Sequence, residues 1–210
     1  MLEFVQLSAA NREEGWGVAV KLLEDRIRQD GQVLGADVLK VDSFLNHQID
    51  PDLMAALGTE FYQRFKDVPI TKILTVESSG IAPALAAGMA FHKPVVFARK
   101  HKSLTLKDHL YTAEVYSFTK KTANTIAIAT KFLGPDDHVL IIDDFLANGQ
   151  AVEGLIDIIA QAQAHLEGVG VVIEKSFQKG RALLDQRHIH VEALARIAAF
   201  ENGQVIFKED

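Results

Sequence analysis

Val139-Leu140-Ile141-Ile142-Asp143-Asp144-Phe145-Leu146-Ala147-Asn148-Gly149-Gln150-Ala151 is the stretch on which the fold turns. Its four leading apolar residues, mostly β-branched, read as a strand buried on both faces. Two carboxylates leave the end of that strand. A loop of small residues follows, then a helix predicted over residues 151–166 and stopped by Gly168. Backbone N–H groups at a helix start, together with the helix dipole, form an anion site. Gly149 allows the backbone to approach a ligand closely. Asp143 and Asp144 are acceptors suited to vicinal sugar hydroxyls. They also place negative charge where a cationic anomeric carbon would develop. On its own, a strand followed by two aspartates is as often a solvated strand end as a site.

Outward from this stretch, strands and helices alternate. Residues 73–76 read as a buried strand, 77–80 as a turn, 81–91 as a small-residue helix with Pro83 in its first turn, and 94–98 as the next strand. Residues 111–118 and 125–130 form a predicted hairpin joined across 119–124. A further strand is predicted over 169–173, with short β segments near 191–197 and 205–207. Upstream, Asp50-Pro51 reads as a helix cap and first turn, followed by Leu53, Met54, Leu57, Phe61 and Phe65 at helical spacing. An earlier helix begins near Val18, shows Leu22, Leu23 and Ile27 on one face, and stops at Gly31. The pattern predicts an α/β fold, a parallel twisted sheet flanked by helices on both faces. Ligands then sit beyond the carboxyl ends of the strands. The loops at 77–80, 99–102 and 143–150 all leave that edge.

Composition narrows the chemistry. With no cysteine among 210 residues, disulfides, thiolate nucleophiles and cysteine-held zinc are excluded. This suits a reducing cytoplasm. No apolar run reaches the roughly 20 residues of a bilayer span, so no membrane partner is expected. The net charge of -6 disfavours nucleic acid outside a concentrated basic patch. The densest such patch, Arg99-Lys100-His101-Lys102 with Lys107 nearby, follows a strand; Lys120-Lys121 is shorter. Residues 1–19 lack both a signal-peptide pattern and a clean period. They are expected to be a poorly ordered extension, with a start codon assigned too far upstream, before one domain over 20–210.

Other phosphate motifs fit poorly. Gly149 and Gly154 have the outer spacing of a P-loop, but Leu155 stands where its lysine belongs. No Gly-x-Gly-x-x-Gly occurs. His188 and His190 have metal-binding types without a third ligand, and read as an exposed strand. No protein-held metal is expected.

The thirteen-residue stretch resembles the 5-phosphoribosyl 1-diphosphate (PRPP) signature of the type I phosphoribosyltransferases. Residues 39–51, Glu77-Ser78-Ser79-Gly80-Ile81-Ala82-Pro83, residues 97–105 and Glu174-Lys175-Ser176-Phe177 are similar to the bacterial xanthine-specific branch of that family. The likeness extends from about Lys21 to the C-terminus and implies a small hood built from N-terminal and C-terminal segments.

The resemblance implies transfer of 5-phosphoribosyl to N9 of xanthine in purine salvage, with Mg²⁺ brought by PRPP. Ala147, Asn148, Gly149, Gln150 and Ala151 would bind PRPP, and Asp143 and Asp144 would hold the ribose. Glu77, Ser78, Ser79 and Gly80 would lie against the pyrophosphate. Arg99, Lys100 and Lys102 would reach the leaving group from a loop that closes, with 103–105 as part of the lid. Leu39, Asn46 and Lys175 would hold xanthine, Leu39 by packing or through its backbone. Phe145 and Phe177 suit stacking on the base or the core equally. A homodimer is implied. The alternatives are guanine or hypoxanthine as the base, or a PRPP-sensing purine-operon regulator. The last needs a larger and more basic N-terminal module than this chain offers.

Overall fold

Why the chain folds as it does is clearest in order along it. The computed structural model describes residues 17–100, 109–117 and 122–208. The first helix, α1 (Val18–Asp30), buries Ala19, Leu23 and Ile27, whereas Leu22 is 46% exposed. The expected apolar face is therefore corrected by one position: Ala19, not Leu22, lies one turn from Leu23. A short hairpin follows, β1 (Gln32–Leu34) and β2 (Val38–Lys40), and then a π-helical turn at Asp42–Asn46. Neither has a recognisable period at its length.

Helix α2 (Pro51–Phe65) starts as predicted. The Asp50 side chain accepts from the N–H groups of Asp52 and Leu53, and Pro51 fills the first turn. Next come β3 (Lys72–Val76), α3 (Ile81–Phe91) and β4 (Val95–Ala98). The predicted hairpin is β5 (Leu110–Ser117) paired antiparallel with β6 (Thr122–Ala129); its turn lies outside the described residues.

Strand β7 (His138–Leu146) runs four residues further than expected. It carries Asp143 and Asp144 within the strand rather than beyond its end, because pairing with the following strand persists to Leu146. Helix α4 (Gln150–Gln161) stops five residues early. Gln163 takes a left-handed φ of 56° and turns the chain into β8 (His165–Lys175), so Leu166 and Gly168 are strand, not helix end. The last elements are α5 (Gly180–Gln186), β9 (Val191–Glu201) and β10 (Gln204–Phe207). His188 and His190 precede β9 instead of lying on a strand, and His190 meets Glu192 at 2.9 Å.

The six-stranded sheet has the order β10-β9-β8-β7-β3-β4. All neighbours are parallel except β10 on β9. Its continuous apolar runs feed two cores, one on each face. Leu140 and Ile142 join Phe44, Phe61, Phe65 and Ile73 under α1, α2 and α3. Val139 and Ile141 join Leu74, Leu155, Ile158 and Ile126 under α4 and the β5–β6 hairpin. Against α4, Gly154 admits Val115 so closely that a Cβ would lie 2.6 Å from its Cγ2. That glycine serves helix–hairpin packing, not a P-loop. At the other end, α1 and β1 pack against the C-terminal strands β9 and β10, the two-ended hood expected above.

Phe61 is fully buried, with its ring against Gly170 of the central sheet. Phe61→Ala is expected to cost about 3–5 kcal/mol, the range for an aromatic truncated in a core that cannot collapse around it. Urea unfolding should show a lower midpoint with an unchanged slope.

Candidate active site

The strand order places three loop starts side by side. β4, β3 and β7 are adjacent and parallel, so the segments after Ala98, Val76 and Leu146 all leave one edge. Asp143 is buried, with 4% of its surface exposed, and Asp144 is half-buried. The Asp144 N–H donates to Asp143 Oδ1 at 3.0 Å. Burial raises the Asp143 carboxyl well above the ordinary carboxylate range, and the neighbouring Asp144 charge raises it further. Burial raises Asp144 too, against its hydrogen bonds. Both carboxylates feel the opposing charge of Lys100. Two acids with raised pKa values at a sheet edge make a candidate site for cationic or hydroxyl partners.

The turn after β3 closes over this pair. Glu77 donates its N–H to Ala98 O at 2.9 Å, the Glu77–Ser78 peptide is cis, and Gly80 begins the turn into α3. A Cβ on Gly80 would fall 2.7 Å from Asp143 Oδ1 and 2.2 Å from Thr75 Oγ1. Only a glycine lets the turn lie this close to the carboxylate. The basic segment is tied to the same turn. The Lys100 N–H donates to Glu77 Oε1 at 2.6 Å, and Arg99 Nε lies 3.7 Å from Glu77 Oε2. Arg99 also exchanges both backbone hydrogen bonds with Ala127 of β6. Arg99 and Lys100 thus stand beside Glu77. Lys102, His101, Lys107 and residues 103–105 lie outside the described residues, as do Lys120 and Lys121.

After Leu146 the chain makes a small cradle. Gly149 has φ 80° and caps α4, where Glu153 N–H returns to its carbonyl at 2.9 Å. Gly149 is buried, and Ala147, Asn148, Gln150 and Ala151 are half-buried. Gly180, at the start of α5, presses on this loop from behind. Its N–H donates to Ala147 O at 2.9 Å, and a Cβ on it would lie 2.4 Å from that oxygen.

Lys175 ends β8 beside β7. Its Nζ donates to Asp37 O at 2.5 Å and stands 5.3 Å from the Phe145 ring centroid. Burial lowers its pKa, opposed by the charges of Asp37 and Asp144. The tip between β1 and β2, which carries Asp37, thereby closes down on the sheet edge. Phe177 is 40% exposed and meets Phe200 edge-on at 5.3 Å, so it belongs to the rim rather than the core.

The structure thus brings Asp143, Asp144, Glu77, Gly80 and Lys100 together, with Lys175 and Phe145 alongside. Leu39 is different. Its side chain is buried in the core under α1. Asn46 is exposed at the end of the π-helical turn. Sequence reasoning missed Asp37, Gly180 and the buried Glu174. A backbone carbonyl that accepts from a lysine leaves no side-chain signal, and a lone glycine before a seven-residue helix has no period. Among the described residues, no three His, Asp or Glu side chains converge on a metal position.

No family model matches the chain. Relatives do. It is 79% identical over 188 residues to a xanthine phosphoribosyltransferase of Lacticaseibacillus casei (strain BL23), covering 90% of this chain and 98% of that protein. A xanthine phosphoribosyltransferase of Latilactobacillus sakei is 71% identical over 91% of this chain and 98% of its own. One from Listeria monocytogenes is 59% identical over 91% of this chain and all of its own. Among solved structures, adenine phosphoribosyltransferase of Rhodothermus marinus superposes with TM-score 0.67 at 24% identity, over 85% of this chain and 98% of that one. The Saccharomyces cerevisiae enzyme, complexed with adenine and an imino-altritol bisphosphate, gives 0.68 at 22%, over 84% and 98%. These two show the fold alone. With identities of 59% to 79% across nine-tenths of its length, the chain belongs to the xanthine phosphoribosyltransferase family.

Proposed function

We propose that this chain transfers the 5-phosphoribosyl group of PRPP to N9 of xanthine, releasing diphosphate and forming xanthosine 5'-monophosphate. The observation that carries the reading is the Asp143-Asp144 pair, the first buried and the second half-buried, set just before a cradle opened by left-handed Gly149. The cradle offers backbone N–H groups to the 5-phosphate. The two carboxylates accept from the vicinal ribose hydroxyls. As the bond from C1′ to the diphosphate oxygen breaks, positive charge grows on C1′, and the carboxylates stabilise it. N9 then bonds to C1′ and the base releases its N9 proton.

Arg99 and Lys100 face the turn that would carry the diphosphate, and their charge offsets that of the leaving group. Mg²⁺ enters with PRPP as part of the substrate; diphosphate oxygens and water are its preferred ligands, with the Asp143-Asp144 carboxylates as hard oxygen partners nearby. When bound it neutralises diphosphate charge.

Base choice rests on Lys175. An ammonium offers donors to an oxopurine and favours an anionic one, whereas the exocyclic amine of adenine is itself a donor. The Phe145 ring beside it provides a flat apolar surface. Asn46, with an amide that donates and accepts, and the backbone at Leu39 complete the base side. Lys175→Ala is expected to raise KM for xanthine on the order of 10- to 100-fold, as for a lost charged hydrogen bond, with KM for PRPP nearly unchanged. Steady-state kinetics with each substrate varied in turn checks this. A rise confined to PRPP would move Lys175 to the phosphate side.

A further inference from the structure

Glu174 is fully buried, and the transfer chemistry does not use it. Its carboxylate accepts from Ser176 Oγ at 2.5 Å and from Arg181 Nη1 at 2.8 Å, with Arg196 Nε at 3.8 Å. Stability is a poor reason for such a group. Desolvating an ion pair costs about what the pair returns, and apolar replacements are often neutral. What it does fix is geometry.

Glu174 lies between two halves of the site. On one side Lys175 follows it directly. On the other, Arg181 follows Gly180, whose backbone is in contact with the phosphate cradle. A Cβ on Gly180 would sit 2.9 Å from Gly149 N as well as 2.4 Å from Ala147 O, so this contact is backbone on backbone, with no slack. The turn between them is closed by Gln178 N–H to Lys175 O at 2.9 Å and by Ser176 N–H to Ile197 O at 2.8 Å.

We propose that Glu174 is a positioning residue: its buried carboxylate clamps the turn from Lys175 to Arg181, and through Gly180 sets the cradle at 147–149 at a fixed distance from the base-side lysine. One ion-pair cluster then controls both the phosphate grip and the base grip. The kinetic consequence rests on the proposed transfer reaction. The structural one does not.

Glu174→Gln tests this, since glutamine keeps the size and one acceptor but removes the charge. Hydrogen exchange in the ligand-free protein reads the clamp directly. Amides at 147–151 and 176–181 are expected to exchange about tenfold faster, a change matching one lost charge-assisted bond, while those of β3 and β4 stay unchanged. In turnover, KM for PRPP and for xanthine should both rise roughly tenfold with kcat within about threefold, because ground-state placement is lost more than chemistry. Unchanged exchange at 147–151, or exchange rising equally across the sheet, would overturn the proposal. If Glu174→Gln is recovered only as aggregate, Arg181→Gln is read by the same exchange criterion. A parent protein that forms no nucleotide, with the local exchange pattern still seen in Glu174→Gln, would sink the transfer reading and leave the clamp standing.

Discussion

Asp143→Asn is expected to lower turnover by about 10²- to 10³-fold, the usual loss when one preorganised transition-state charge is removed, and to raise the unfolding temperature at the same time. The two effects have one cause. Asp143 is buried beside Asp144, and its carboxyl is pushed well above its ordinary value of 3.8, by burial first and by Asp144 second. A carboxyl with a raised folded pKa keeps a proton that the unfolded chain gives up. Its contribution favours the fold at low pH and is lost as pH rises from the ordinary value through the raised one. Asparagine never ionises. It also keeps an acceptor for the Asp144 N–H, now at 3.0 Å. The stability gain should therefore be absent in acid and grow toward neutral pH. Thermal unfolding of both proteins between about pH 4 and 8 reads this directly. A variant less stable at neutral pH, or one that keeps full turnover, would remove Asp143 from its role. Binding in the parent protein runs the opposite way to its stability. Affinity for Mg²⁺-bound PRPP should strengthen as pH rises through the raised pKa values of the pair, because the ionised carboxylates accept from hydroxyls more strongly than the neutral acids and attract the cation.

The second large effect is at the cradle. Gly149 holds φ 80°, a conformation that costs an L residue about 1–2 kcal/mol. A Cβ there would also lie 3.2 Å from Gly180 Cα, against backbone that has its own contact with Ala147. Gly149→Val must either flip the loop or push α5 away. KM for PRPP is expected to rise on the order of 100-fold, since both strain and displacement fall on the phosphate N–H groups. Stability should fall less, because the cores at Phe61 and Leu155 lie elsewhere. Isothermal titration with PRPP and Mg²⁺ checks this; wild-type affinity would show that the backbone at Gly149 does not touch the ligand.

What the sequence made legible was whatever burial writes with a period. The run at 139–142 feeds both cores alternately, and that is why it is apolar throughout. Asp50-Pro51 states a helix start in two residues, and the structure keeps it. Boundaries were harder. No glycine or proline falls between Leu155 and Leu166, so only the left-handed turn at Gln163 separates α4 from β8. Conversely, two aspartates look like a strand end, yet ladder pairing to β8 carries them inside. Short elements such as β1, β2 and α5 give too few residues for any period. The groups announced by side-chain chemistry, the Asp pair, the Glu77 turn, Arg99 and Lys175, lie together at one sheet edge. Those acting through backbone were not so announced, as with the Asp37 carbonyl and Gly180. Glu174 carries a conspicuous charge, but only its burial and its arginine partners distinguish it from a solvated acid.

The most direct test incubates the purified protein with PRPP and Mg²⁺ and, in parallel, xanthine, guanine, hypoxanthine or adenine, and quantifies the nucleotide formed. The account predicts nucleotide from xanthine well ahead of the other three, with diphosphate released in equal amount. Turnover led by adenine, or PRPP binding without nucleotide from any base, would contradict it.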